Sequence, residues 1–115
     1  KSLVEQCKTV PREKAAALLR ERLNYLALEY GFSFNRVSVR NQRTRWGSCS
    51  SVNNISVNEK LARLPLRLMD YVLLHELVHT RVKSHGEAFW RELEKYVVDF
   101  RELRRELREY RLGLF

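Results

Sequence analysis

Cysteine is nearly absent from this chain of 115 residues, occurring only as Cys7 and Cys49. Small secreted domains stapled by disulfides carry more, so a reducing, cytoplasmic setting is expected. Proline is as scarce, at Pro11 and Pro65, and the four glycines are dispersed; no internal repeat or low-complexity stretch is present. No apolar run approaches the roughly 20 residues that a membrane-spanning helix needs, because Asp70, His75, Glu76 and His79 interrupt the longest one. No membrane partner is expected. Acidic residues are missing between Tyr30 and Asn58, where Arg36, Arg40, Arg43 and Arg45 make a positive segment in a chain of net charge +8. Such a segment attracts nucleic acid or acidic substrates, so weak, salt-sensitive nucleic-acid binding is expected, against the commoner case of solvated arginines.

What is present is enough apolar material, 44% of residues, for one compact domain over residues 1–115 and too little chain for two. The chain opens on lysine without a cleavable leader, a pattern expected of part of a longer protein. Thr9 and Pro11 offer a helix start and Gly31 a stop, and Ala15, Leu19, Leu23, Leu26 and Tyr30 follow helical spacing between them. The period then changes. "FSFNRVSVR" predicts one or two short strands with a break at Asn35, and "TRWGSCSSVNNISVN" predicts a hairpin that turns at Ser51 to Asn54. A small antiparallel sheet is the expected result.

Pro65 opens a second helix, "LRLMDYVLLHELVHTRV", apolar on nearly every side and so buried in the core. Ser84 and Glu87 have the spacing of a capping box, which places the start of a third helix there. From Phe89 through Leu93, Tyr96, Phe100, Leu103 and Leu107 to Tyr110 the apolar spacing alternates three and four, predicting one long amphipathic helix. Its stripe persists to Leu114 and Phe115, so the C-terminal end is expected to pair with another chain, cross a cleft, or pack on the domain's own core.

All three histidines lie in "HELVHTRVKSH", residues 75 to 85. Residues four apart on a helix project about 40° from each other, so His75 and His79 can grip one ion from a single face. Glu76, about 100° round from His75, reaches beside that ion, which is the HExxH arrangement with glutamate as general base. A shuffled chain of this composition spells HExxH about once in two hundred times. Burial argues further against accident: an unpaired carboxylate and two imidazoles in so apolar a helix cost several kcal/mol without a partner, and a divalent cation supplies one. Catalytic zinc keeps three protein ligands and an open position. His85 is the candidate third ligand, with Glu87, Glu92 or Glu94 as alternatives. Its distance from His79 equals the metzincin spacing, but Val82 stands where metzincins have glycine, and Met69 lies upstream.

The segments "RTRWGSCSS", "NNISVNEKLARLP" and "DYVLLHELVHTRVKSHGEAFW" occur in that order, and together they resemble the YgjP-like family of zinc metallopeptidases over about residues 36 to 98. The family pattern falls on Arg45 to Cys49, Ile55 to Asn58, Pro65, Asp70 to His79, and His85 to Trp90. The family is in turn similar to SprT-like proteases, which act on proteins attached to DNA. The resemblance implies an α+β, zincin-like domain: helix, small sheet, active-site helix, long C-terminal helix. It implies hydrolysis of a polypeptide substrate, with Zn²⁺ on His75, His79 and His85 and Glu76 as base. It also implies an edge strand that pairs with extended substrate, for which Asn54, Ile55, Ser56 and Val57 are the candidates. Trp46 and Cys49 are expected to be core residues. Arg43 and Arg45 are candidates to stabilise an oxyanion, against a solvated or ion-paired role. The rival class is a basic nucleic-acid-binding module whose metal is structural or vestigial; such a metal normally takes four protein ligands.

Overall fold

The computed structural model describes residues 11–110. Cys7, Thr9, Leu114 and Phe115 lie outside the described residues, and with them the expected Thr9 cap and the end of the C-terminal stripe.

Helix α1 spans Arg12–Tyr30 directly after Pro11, whose ring presets a backbone angle suited to a helix start. It stops at Gly31, where φ is 75°, a left-handed turn that glycine adopts without steric cost. The Gly31 and Phe32 amides both donate to the Ala27 carbonyl. Ala15, Leu19, Leu23 and Leu26 are buried as their spacing predicts; Tyr30 lies at the rim, its ring against Tyr96.

Three strands follow: β1 (Arg36–Arg40), β2 (Gly47–Cys49) and β3 (Asn54–Asn58). The expected hairpin is β2–β3, antiparallel, with Asn53 in the left-handed region at φ 64°. The all-antiparallel sheet expected from sequence is not what forms: β1 pairs parallel to β3, and the order is β1-β3-β2. Residues 41–46 carry the chain past the end of β3, and the Asn58 side-chain amide pins that crossing by donating to the carbonyls of Gln42 (2.8 Å) and Arg45 (2.9 Å). Asn58 is only 1% exposed, so its amide is a buried donor that these two carbonyls satisfy, and losing the bonds would cost stability. "NISVN" is consequently the central strand. Its pairing capacity is used on both sides, so Asn54, Ile55, Ser56 and Val57 cannot add a substrate strand as expected; the sheet's free edges belong to β1 and β2.

A 3-10 turn, Glu59–Arg63, leads to helix α2, Leu66–His79. Ten of its fourteen residues are buried, as expected of a helix apolar all round. The Arg22 guanidinium grips Asp70 with two hydrogen bonds, 2.8 and 2.7 Å, tying α1 to α2. Past the end of α2, Arg81 donates to Glu92, the Tyr96 hydroxyl and the Gly31 carbonyl, joining three parts of the chain.

The long C-terminal helix is divided into α3 (Glu87–Glu94) and α4 (Phe100–Leu107). Residues ten apart in a straight helix stand about 15 Å apart, yet the Trp90 and Phe100 rings stack at 5.3 Å. The break at 95–99 makes that possible and buries Val97. Two β-branched residues followed by Asp99 are weak helix formers, so the turn wins there. The capping box also fails to form: Gly86 holds the cap position with no side-chain bond, and Glu87 pairs instead with Arg91.

Candidate metal centre

Helix α2 supplies His75, Glu76 and His79 from its last turns, and the turn before α3 returns His85 to the same face. His85 Nε2 lies 3.3 Å from His75 Nε2 and 3.0 Å from His79 Nε2. Ligand nitrogens of a tetrahedral zinc, each about 2.05 Å from the ion, are about 3.3 Å apart; the donor set fits that ion. His79 Nδ1 donates to the Val82 carbonyl at 2.9 Å, which fixes the tautomer with Nε2 free to ligate. Phe89, fully buried, backs the cluster with its ring 4.7, 4.3 and 5.2 Å from the three imidazoles. Trp90 steadies the returning turn by donating Nε1–H to the His85 carbonyl, 3.1 Å away.

The alternative third ligands point elsewhere. Glu92 is bound by Arg81 and Lys95, Glu87 by Arg91, and Glu94 faces Arg101 at 4.0 Å. Among the described residues, only His75, His79 and His85 form a group able to hold a metal.

A cavity of about 320 Å³ opens over the cluster, lined by Arg45, Gly47, Ser48, Cys49, Glu76 and Lys83 with the histidines. Of the two oxyanion candidates, the structure brings Arg45 to the site and leaves Arg43 outside the cavity lining. Lys83 and the edge of β2 were not singled out from sequence; the glycine and serine of "RWGSC" are the only local signal for them. Lys83 donates to the Ser50 carbonyl at 2.9 Å and also to Asn53, so it braces the hairpin. Trp46 and Cys49, expected in the core, are half-buried and pack against it from outside, and Cys49 also lines the cavity.

Gly47 lies at a close approach that favours glycine. A Cβ there would sit 3.1 Å from Cγ and Oε2 of Glu76 and 3.2 Å from the Ser56 carbonyl. Gly47→Ala is therefore expected to cost about 1–3 kcal/mol by overpacking and to reduce activity by displacing Glu76, with metal retained. Urea unfolding measures the first effect, and an alanine variant as stable as the parent would show that the contact is soft.

Burial pushes Glu76 up to about 8, with the Arg45 charge opposing. Burial, then the neighbouring His79, His85 and Arg104 charges, push His75 down to about 3, and burial lowers His79 too. Neutral imidazoles are the form that binds metal. For His75 the unfolded chain binds the extra proton between about 3 and 6.5, so acid weakens the fold across that range. For Glu76 the native state binds it between 4.5 and about 8, so stability falls as pH rises across that range. The metal-free protein should melt highest between 4.5 and 6.5, where the two slopes oppose. Melting in chelator across this pH range tests the signs, and Glu76→Gln should remove the fall between 6.5 and about 8, move the maximum to higher pH and leave the limb below 4.5 unchanged.

Residues 1–110 match the family described as YgjP-like, metallopeptidase domain. Among solved structures, the metallopeptidase zymogen abylysin of Pyrococcus abyssi is 23% identical, with a TM-score of 0.67, over 77% of this chain and 90% of that one. The zymogen jannalysin of Methanocaldococcus jannaschii is 21% identical, also at 0.67, over 80% and 95%. These likenesses show the shared α+β, zincin-like fold. Curated proteins give no match. With a family match over nearly its whole length, the chain belongs to the YgjP-like metallopeptidase family.

Proposed function

We propose that this domain is a zinc metalloendopeptidase in which His75, His79 and His85 hold the metal and Glu76 is the general base. The observation that carries the reading is the convergence of the three imidazole nitrogens within 4.8 Å, one residue from a buried carboxylate and beside an open strand edge. A bound zinc would supply Lewis acidity to a water and to the scissile carbonyl. Glu76 accepts the water's proton and returns it to the departing amine. Its buried position favours the protonated form, and a divalent cation nearby favours the carboxylate that a base requires.

Substrate is a polypeptide held along β2. The Trp46 carbonyl and Ser50 amide bond to β3, so strand alternation leaves the N–H and C=O groups of Gly47 and Cys49 on the free edge. Backbone pairing there gives affinity with little sequence preference. Arg45, lining the same cavity, is placed to stabilise negative charge developing on the carbonyl oxygen.

A structural metal in a binding module would need a fourth protein ligand. None joins the three histidines among the described residues, and burial raises the Cys49 thiol, which disfavours its thiolate. The deciding experiment is zinc analysis of the purified chain with a casein-cleavage assay. About one zinc per chain and cleavage stopped by chelator are expected; a chain without metal, or cleavage indifferent to chelator, would defeat the reading.

A further inference from the structure

We propose that the cleft takes acidic polypeptide segments, held by arginines in two grooves that adjoin the metal cavity. This rests on the peptidase reading for what happens to the bound chain, but not for the binding itself.

The first groove, about 520 Å³, lies on the polar face of the sheet. Strand alternation puts Val37, Val39, Ile55 and Val57 toward the core, and leaves Arg36, Ser38 and Arg40 on the outer face beside Asn54 and Ser56. Ser56 Oγ and Asn54 Oδ1 are buried without a hydrogen-bond partner among the described residues, an arrangement that costs stability unless a ligand answers it. A serine hydroxyl can donate to an oxyanion, and the Asn54 amide turned by 180° offers an NH₂ group on the same face of the sheet. Arg45, Ser48 and Cys49 line both this groove and the metal cavity, so the two are continuous.

The second groove, about 610 Å³, carries Arg101, Arg104, Arg105 and Arg108, with Glu87, itself paired with Arg91, as its one acidic lining residue. Their spacing of three, four and seven puts them on one exposed face of α4 and its C-terminal cap, Arg108. Only Arg101 among these four has an acidic partner among the described residues, Glu94 at 4.0 Å. Trp90 forms a wall of the groove and brings it to the metal centre, its ring 6.0 Å from that of His75.

Nucleic acid is the competing occupant, and the aromatic rings argue against it. Base recognition in a single strand draws on free ring faces. In the second groove Trp90 and Phe100 stack on each other, with Arg104 over Trp90 at 4.8 Å and Arg101 over Phe100 at 4.6 Å. The first groove has no aromatic lining. What both offer is guanidinium groups, suited to carboxylates, the first groove continuous with the metal cavity and the second separated from it by the Trp90 ring.

The test is fluorescence anisotropy on zinc-loaded Glu76→Gln protein, so that the probe is not cut. An extended peptide of about 12 residues spans about 40 Å, close to the 38 Å long dimension of the domain. Three labelled probes of that length are compared: alternating Glu and Gly, alternating Gln and Gly, and an oligothymidylate of the same charge as the first. The Glu probe should bind about tenfold tighter than the Gln probe at low salt, and Arg36→Gln/Arg40→Gln and Arg105→Gln/Arg108→Gln should each remove about threefold or more of that difference. All four positions are exposed, and melting curves verify the fold. Equal binding of the Glu and Gln probes, or tighter binding of the oligonucleotide than of the Glu probe, overturns the proposal. A failure of the peptidase reading shows separately, as absent turnover in the parent with the anisotropy unchanged.

Discussion

Glu76→Gln should retain zinc and the native fold while kcat/KM for casein falls about 10²- to 10⁴-fold, the range associated with removal of a general acid or base. Glutamine keeps the shape of the side chain in a position that is 5% exposed and crowded by Gly47, so packing is preserved. An amide cannot accept the proton. Burial favours the neutral carboxylic acid at this position, so an uncharged amide removes a desolvation cost and the metal-free variant should be no less stable than the parent near neutral pH. Zinc content by atomic spectroscopy, thermal melting and steady-state kinetics on one preparation separate these effects. Full turnover by the glutamine variant would refute the mechanism, and loss of zinc would make Glu76 a ligand.

His85→Ala should lower zinc affinity by more than the 10- to 100-fold typical of losing a mere supporting contact, and abolish turnover at ordinary zinc concentrations. His85 is exposed and its ring contacts are made within the histidine and aromatic cluster, so in chelator the variant should melt near the parent. The difference appears only with metal. Zinc at about 100 times its Kd stabilises a protein by about 2.7 kcal/mol, equivalent to roughly 10–20 °C in a domain of this size, and the variant should lose most of that increment. His85→Ala that binds zinc as tightly as the parent would return the third ligand to a glutamate, although Glu87, Glu92 and Glu94 face basic partners in this structure.

The division between sequence and tertiary information follows the range of the interactions. Pro11, Gly31 and Pro65 bounded α1 and opened α2 because their effect is on the backbone beside them. The pairing of His75 with His79 was legible because helical periodicity alone fixes it. The hairpin turn at Asn53 was legible for a similar local reason. Three other features depended on partners distant in the chain. "NISVN" reads as a sound strand wherever it is placed; that it is central rather than an edge is decided by the loop pinned to Asn58. The stripe from Phe89 to Tyr110 reads as one helix, because spacing records which residues seek the core and not whether the chain must fold back to bring Phe100 onto Trp90.

By itself, the sequence determined that a helix presents two imidazoles and a carboxylate on neighbouring faces, since each residue there is positioned by its own turn of backbone. Tertiary structure decided that His85 reaches the same point and the glutamates do not, that Arg45 attends the site and Arg43 does not, and that of the two open edges it is β2 that lines the cavity. Those choices depend on the Trp90 bond to the His85 carbonyl, on Phe89 packed behind the three rings, and on a glycine at position 47 that lets β2 approach Glu76. They are packing between elements remote in sequence, which no local period records.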